Sequence, residues 1–406
     1  MLDPHYLQHI ADGAENIASQ LHEYIIRQIV DRMMIRIGRG DDYLLTSSDA
    51  WRIQVLQDSG YLLQDITEEL AKYTKRQEKE IKAAMEEAGV KALEYDDKTY
   101  RAAGLSPMPL TQSPALIRLM ERNYNATLGE WRNMTRSTAE AAQRLFLNEC
   151  DFAYNKVMSG ATSYSQAVRE AVEAVASGGV YVDYPSGHRD TIEVATARAV
   201  RTGIAQAAGD ISIKRMEEMD WDIILVSAHI GARTGDGGQN PGNHLWWQGQ
   251  FYSRTGKDKR FPNFYEVTGY GTGVGLSGYN CRHSFGSGDG VNNPYADIQT
   301  ADNVRMEKLE QRQRALERRV RKTKREVMGL QEAVEKCQDE AARFELQQTL
   351  DRKSYLLSRQ NKAYSEFCKE NDLRPLSERL QIAKWSREQA AKARGAARRY
   401  QNTKGE

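Results

Sequence analysis

The sequence predicts an α+β fold dominated by helices. Three observations carry that reading. Both flanks of the chain repeat apolar residues at three- and four-residue steps, one short apolar β-branched run stands near the middle, and the residues after it are dense in glycine and large aromatic rings. With 406 residues, roughly two or three domains are expected. The zones divide into a helical N-terminal region over 1–185, a compact loop-rich α+β central domain over 186–295, a C-terminal antiparallel helical hairpin or coiled coil over 296–380, and a basic, flexible tail over 381–406.

In the first zone Ile17, Leu21, Tyr24, Ile25, Ile29 and Met33 form an amphipathic stripe that Gly38 and Gly40 end. Ser48-Asp49 starts a short helix that Gly60 is expected to stop, and a long charged helix follows from Asp65 to Gly89. Ser113-Pro114 is a start signal, since serine offers a cap oxygen and proline fits the first helical turn. Ser137 opens a helix to about Met158, and Ser163 opens another that ends before Gly178-Gly179.

In the second zone a helix is expected from about Asp190 to Met219. Asp222 to Ser227 is the best strand in the chain. Beyond it, 15 of the 31 glycines fall between 231 and 290, among Trp246, Trp247, Phe251, Tyr252, Phe261, Phe264 and Tyr265. Such density gives turns and close backbone approaches, and the rings give them a core, so this is a domain and not a linker. In the third zone Met306, Leu309, Gln313, Leu316, Val320, Thr323, Val327, Leu330, Val334 and Cys337 make a heptad seam. Leu346, Leu350, Leu357, Tyr364 and Phe367 make a second, with a break near Lys336 to Asp339; the two can pair within a chain or between chains. Gly395 interrupts the last segment.

Lys plus Arg number 57 and Asp plus Glu 56, a net charge of +1 that excludes a histone-like or acidic-tail protein but leaves room for local basic segments. The charged fraction of 28% and a mean hydropathy of −0.69 fit a surface-rich helical chain. Four cysteines at 150, 281, 337 and 368 show no close pairing, which points away from a disulfide scaffold. No export signal and no run of 18 apolar residues is evident, so no membrane anchor is expected.

The chemistry concentrates at 227–284. Three of the seven histidines and one of the four cysteines lie within 55 residues there, just past the strand. His229, His244, Cys281 and His283 would give one sulfur and three nitrogens, a donor set suited to Zn²⁺, although the spacing matches no standard zinc module. A nuclease or transferase could instead use His229 and His283 as acid and base, with Arg233 or Arg282 holding an anion; Asp236 is the nearest carboxylate. There is no Gly-x-Ser-x-Gly, no Walker loop and no kinase set, and Gly271 to Gly275 alone is weak evidence for phosphate binding. The third reading is structural: buried His, Arg and Asn satisfy backbone groups in an irregular domain.

Residues 305–325 hold ten Lys or Arg against three Glu. Arg314, Arg318, Arg321, Lys324 and Arg325 are the candidates to neutralise DNA phosphates, a sequence-independent and salt-sensitive contact. A solvated helix face with pairs such as Glu317 and Arg321 is the competing reading.

Val226-Ser227, His229, Gly231-Ala232-Arg233, Trp247-Gln248-Gly249, Tyr252-Ser253, Gly271, Gly273 and Asn280-Cys281-Arg282-His283 together resemble the phage minor capsid protein 2 family, within the wider Mu F-like minor head proteins. The resemblance extends upstream to Val182-Asp183-Tyr184, Ser186-Gly187 and the Ala199 to Ala207 stretch, and downstream to Glu366 to Lys369 and Leu373-Arg374. It covers about 180 to 380 well and 1–180 only in helical character. The stretch Thr234 to Leu245 departs from the pattern as an insertion, which leaves His244 in doubt as a ligand. The resemblance implies a head-morphogenesis protein of a tailed bacteriophage, assembled in the bacterial cytoplasm. It would lie inside the capsid near the portal vertex, bind the portal through the partner-binding region 1–185, meet scaffold or major capsid protein, and touch the packaged DNA or leave with it; the heptad seams, if they pair between chains, would make it oligomeric through its C-terminal helices. It implies a binding protein and not an enzyme, with no catalytic residues and no cofactor besides the candidate zinc. The enzyme reading through His229, Arg233 and His283 is its alternative.

Overall fold

The computed structural model describes residues 1–40, 48–184, 187–298 and 301–404. The chain forms two compact units, each gathered from three separate stretches. The first comprises Met1–Glu15, Lys75–Asn133 and Val194–Gln311, the second Asn16–Thr74, Met134–Glu193 and Arg312–Glu406. Helices dominate and the sheets are small and antiparallel, an α+β composition.

In chain order the helices are α1 (Pro4–His9), α2 (Asp12–Ile37), α3 (Ser48–Ala102), α4 (Pro114–Met158), α5 (Tyr164–Gly178), α6 (Ile192–Glu218), α7 (His244–Trp247), α8 (Phe264–Thr268), α9 (Asn303–Lys336), α10 (Glu340–Glu370) and α11 (Arg387–Lys404). The strands are β1 (Tyr181–Asp183), β2 (Arg189–Thr191), β3 (Ile223–Val226), β4 (Phe251–Ser253) and β5 (Phe285–Ser287).

Several starts and stops follow the sequence signals. Pro114 is the first residue of α4, with the Ser113 hydroxyl accepting from Leu116 N–H at 3.4 Å. Ser163 caps α5 and Gly179 follows its end at positive φ. Two expected breaks do not occur. Gly60 lies inside α3, because Val55, Ser59, Leu62 and Ile66 continue one buried face across it, and that burial outweighs a glycine penalty of about 1 kcal/mol. Ser137 lies inside α4, its hydroxyl donating back to the Met134 carbonyl at 2.9 Å instead of capping a new helix. The segment expected as a flexible tail is helical over Arg387–Lys404 and runs through Gly395. Its alanines explain this: Ala393, Ala396 and Ala397 are buried, and Arg399 makes a two-pronged contact to Asp351 on α10.

In the first unit, small residues of α3 and α6 (Ala88, Ala92, Ala197, Ala205 and Ala208), with Ala11 in the turn between α1 and α2, let the helices approach closely around Leu7, Ile81, Met85 and Ile204. A second cluster joins Tyr100 and Met216 to the sheet and its loops through Ile224, Trp247, Tyr252, Phe264, Leu276 and Phe285. The sheet runs β4-β3-β5, antiparallel throughout, with Ile224 opposite both Tyr252 and Ser287. Glycine is required at 275, where a Cβ would meet the Thr268 and Gly269 carbonyls at 2.5 and 2.3 Å.

In the second unit β1 and β2 form a hairpin with Val182 opposite Asp190, and α10 packs against α5 and α11. Gln313 and Glu317 of α9 meet Tyr364 of α10, and Glu326 meets Lys353 further along, so the two helices lie side by side in opposite directions. Cys337 to Asp339 form the turn, with Asp339 capping α10 through Ala342 N–H.

Candidate functional site

The site is built by three stretches of the first unit that the sheet brings together. β3 ends at Val226, and Ser227 continues the pairing: its N–H donates to the Ser284 carbonyl at 2.9 Å, and its hydroxyl accepts from Ser284 N–H at 3.0 Å. This fixes His229 beyond one strand end and His283 before the start of β5. The third stretch is α7, which begins at His244. Asn243 caps it, the side chain accepting from Trp246 N–H. Four residues that would fray alone are held by Trp247, whose indole N–H donates to the Pro241 carbonyl at 3.0 Å while its ring packs in the core.

His244, Cys281 and His283 come together. One donor atom from each lies within 4.8 Å of the other two, and all three side chains are buried. Cys281 Sγ is 3.6 Å from His283 Nδ1, and the His244 and His283 ring centroids are 5.3 Å apart. Each imidazole is held from behind. His244 Nε2 is 2.9 Å from the Val274 carbonyl, and His283 Nε2 is 2.8 Å from Gln248 Oε1. Both oxygens can only accept, so in each ring the Nε2 carries the hydrogen and Nδ1 keeps its lone pair. The Gln248 amide orientation is set independently, because its Oε1 also accepts from the His229 backbone N–H at 3.1 Å.

Burial governs the electrostatics. It pushes His244 down to about 4, with the Val274 carbonyl opposing, and pushes His283 well below the usual imidazole range, aided by His229, His244 and the nearby arginines. Burial raises the Cys281 thiol, the His283 backbone opposing. At neutral pH this gives two uncharged imidazoles and a thiol enclosed together.

His229, the fourth expected ligand, sits differently. Its ring stacks on His283 at 4.4 Å between centroids, its Nδ1 is 2.9 Å from the Ile230 carbonyl, and it is half-buried. It is not within the trio's 4.8 Å grouping. Of the anion-binding candidates, Arg233 donates to the Tyr279 carbonyl at 2.8 Å, and Arg282 pairs with Glu310 at 2.8 Å and donates to the Gly231 carbonyl. Both guanidiniums are engaged with the protein. Asp236 accepts from Gly238 N–H and the Asn240 amide within its own turn.

Two residues hold the site in a role that the sequence did not single out, Gln248 standing there only within the Trp247-Gln248-Gly249 string. Gln248 orients His283, and Asn303 ties the loop after His229, its amide bonding Gly231 N–H, Ala232 N–H and the Ala232 carbonyl at 2.8–2.9 Å. An asparagine opening a long helix was the available signal for the second.

The five DNA-contact candidates separate. Arg318 is exposed and Arg314 half-buried. Arg321 donates to the Arg379 carbonyl. Lys324 is buried and donates to the Leu380 carbonyl at 2.6 Å. Arg325 is buried and faces Glu193 at 2.6 Å and Glu23 at 3.9 Å. Lys324 and Arg325 are therefore spent inside the second unit, because carboxylates and carbonyls remote in sequence take the place of phosphate. The exposed cations on the 305–325 stretch of α9 are Arg305, Lys308, Arg312, Arg318, Arg319 and Lys322.

A mostly helical α+β chain, with a glycine-rich domain closed around buried imidazoles and a thiol, is the class defined so far. Residues 2–356 match the family described as phage minor capsid protein 2. The chain belongs to that family. No curated protein and no solved structure matches it. Among the described residues, no helix is long and apolar enough to cross a membrane.

Proposed function

We propose that this phage capsid-family protein works by binding inside the head beside the portal, and that it takes part in head assembly without catalysing a reaction. The family match over residues 2–356 carries the reading. Two features support the finer parts. Ile53, Leu56 and Tyr61 on α3 are each more than half exposed and recur at helical spacing, an apolar stripe of the kind that docks on a partner such as portal or a neighbouring head protein. The exposed cations of α9 form a basic face suited to packaged DNA, which leaves room for the protein to travel with it.

Sedimentation with purified portal rings tests the docking. Co-sedimentation that is lost in an Ile53→Asp, Leu56→Asp variant supports it, and no association of the folded wild type overturns it. For DNA, the affinity of the full chain for duplex should fall with salt, and Arg318→Ala with Arg319→Ala should lower the log–log slope by about two. An unchanged slope removes that face as the contact. His229→Ala and His283→Ala variants test the absence of catalysis. Impaired assembly with no nucleic-acid cleavage in the wild type supports a binding role, whereas a wild-type cleavage activity lost in the variants overturns it.

A further inference from the structure

We propose that His244, Cys281 and His283 form a zinc site, with His244 and His283 binding through Nδ1, Cys281 through its thiolate, and water in the fourth position. The inference does not depend on the head-protein reading. It narrows the four-residue set that residue type and clustering suggest by leaving His229 out.

The distances discriminate. With Zn–S near 2.3 Å and Zn–N near 2.0–2.1 Å, two ligands of a tetrahedral ion put sulfur and nitrogen about 3.6 Å apart. Cys281 Sγ and His283 Nδ1 are 3.6 Å apart. An imidazole centroid sits about 3.2 Å from an ion it binds, so two rings at the tetrahedral angle have centroids about 5.2 Å apart. His244 and His283 are at 5.3 Å in an edge-on arrangement, while His229 and His283 are stacked at 4.4 Å, too close for both to bind one ion in that geometry. The widest donor pair of the trio, within 4.8 Å, needs to close by roughly 1 Å.

The surroundings match what a bound ion requires. A ligating histidine commonly donates its second N–H to a carbonyl, which fixes the tautomer. His244 does so to Val274 and His283 to Gln248. One sulfur and two nitrogens form a borderline-soft set that favours zinc over calcium or magnesium. The ion would join α7 to the Cys281–His283 segment, across a stretch whose glycines pack little side chain.

The test uses the full chain, made with zinc in the medium and purified through a histidine-free tag without chelators. Elemental analysis should give about one zinc per chain in the wild type and in His229→Gln, and less than about a tenth in Cys281→Ser. Replacement by Co²⁺ should give a thiolate-to-cobalt charge-transfer band in the wild type. That band needs no variant to fold, so it stands even if Cys281→Ser is unstable. Less than a tenth of an equivalent in the wild type, with no such band on cobalt addition, overturns the site. Zinc lost in a folded His229→Gln overturns the three-residue set.

Discussion

His22, Glu23, Glu193 and Arg325 place four ionisable side chains in the interior of the second unit. His22 Nδ1 is 2.8 Å from Glu193 Oε2, and Arg325 reaches the other oxygen of Glu193 at 2.6 Å. Burial disfavours the Glu193 charge, but Arg325 and His22 outweigh it and hold this carboxyl well below the usual range. Glu23 goes the other way. Burial pushes it from 4.5 up to about 8, against Arg325 and the Ser19 hydroxyl, with Glu193 reinforcing the rise and Lys384 opposing it. A folded-state pKa above the unfolded one means that folding favours the protonated form. The stability this group contributes is full below pH 4.5 and is lost as the pH rises through about 8. Glu23→Gln keeps the neutral shape, so its Tm should fall less than that of the wild type between pH 4.5 and 8; parallel Tm profiles would show that Glu23 is ionised throughout. Arg325→Ala leaves Glu193 buried without its main partner. It should cost about 3–5 kcal/mol in chemical denaturation. A loss under 1 kcal/mol would mean that Arg325 is not the counter-charge.

At the scale of elements, the continuity of α3 through Gly60 has a direct consequence. A Cβ at Gly60 meets nothing within 4 Å and the position is exposed, so Gly60→Ala should stabilise the protein by about 0.5–1 kcal/mol, read from the denaturation midpoint. If the helix stopped there, alanine would bring no gain. The same helix shows what local signals can and cannot carry. Ser113-Pro114, Ser163 and the run at Ile223–Val226 were legible because a cap oxygen, a fixed φ and β-branched side chains act on their own neighbours. The local signals at Gly60 and Ser137 mislead because a buried face that runs a dozen residues or more to either side decides their state. β4 and β5 have three residues each, too few for an alternation to register. Within the candidate site, the clustering of His244, Cys281 and His283 was legible from residue type. The exclusion of His229 was not, since it depends on a ring stacking that only the fold creates. Likewise Arg325 reads as a solvent cation until Glu23 and Glu193, both far away in sequence, are placed beside it.

For the whole molecule, the interleaving of the chain limits what a fragment can do. The glycine-rich zone 186–295 resembles a domain in composition, yet its residues 194–295 belong to a unit that distant residues complete. Leu2 exchanges two bonds with the Ser284 hydroxyl, its N–H donating at 3.0 Å and its carbonyl accepting. Asp96 accepts from Ser287 N–H at 2.8 Å on strand β5. Tyr100 stands edge-on to Trp221 at 5.5 Å and joins the same apolar cluster as Trp247 and Phe264. Asn303 and Glu307, beyond the other end, hold the backbone at 231–234. A fragment of 186–295 would lose these hydrogen bonds, each worth about 0.5–1.5 kcal/mol net, and would expose the Tyr100 face of its core. Against a total stability of about 5–15 kcal/mol, a handful of such losses is enough to unfold it. The fragment should therefore show no cooperative thermal transition by circular dichroism, whereas the full chain should. A sharp transition in the fragment, with native-like protection of the β3 amides in hydrogen exchange, would mean that the glycine-rich stretch closes its own core and that the helices of the first unit only lean on it.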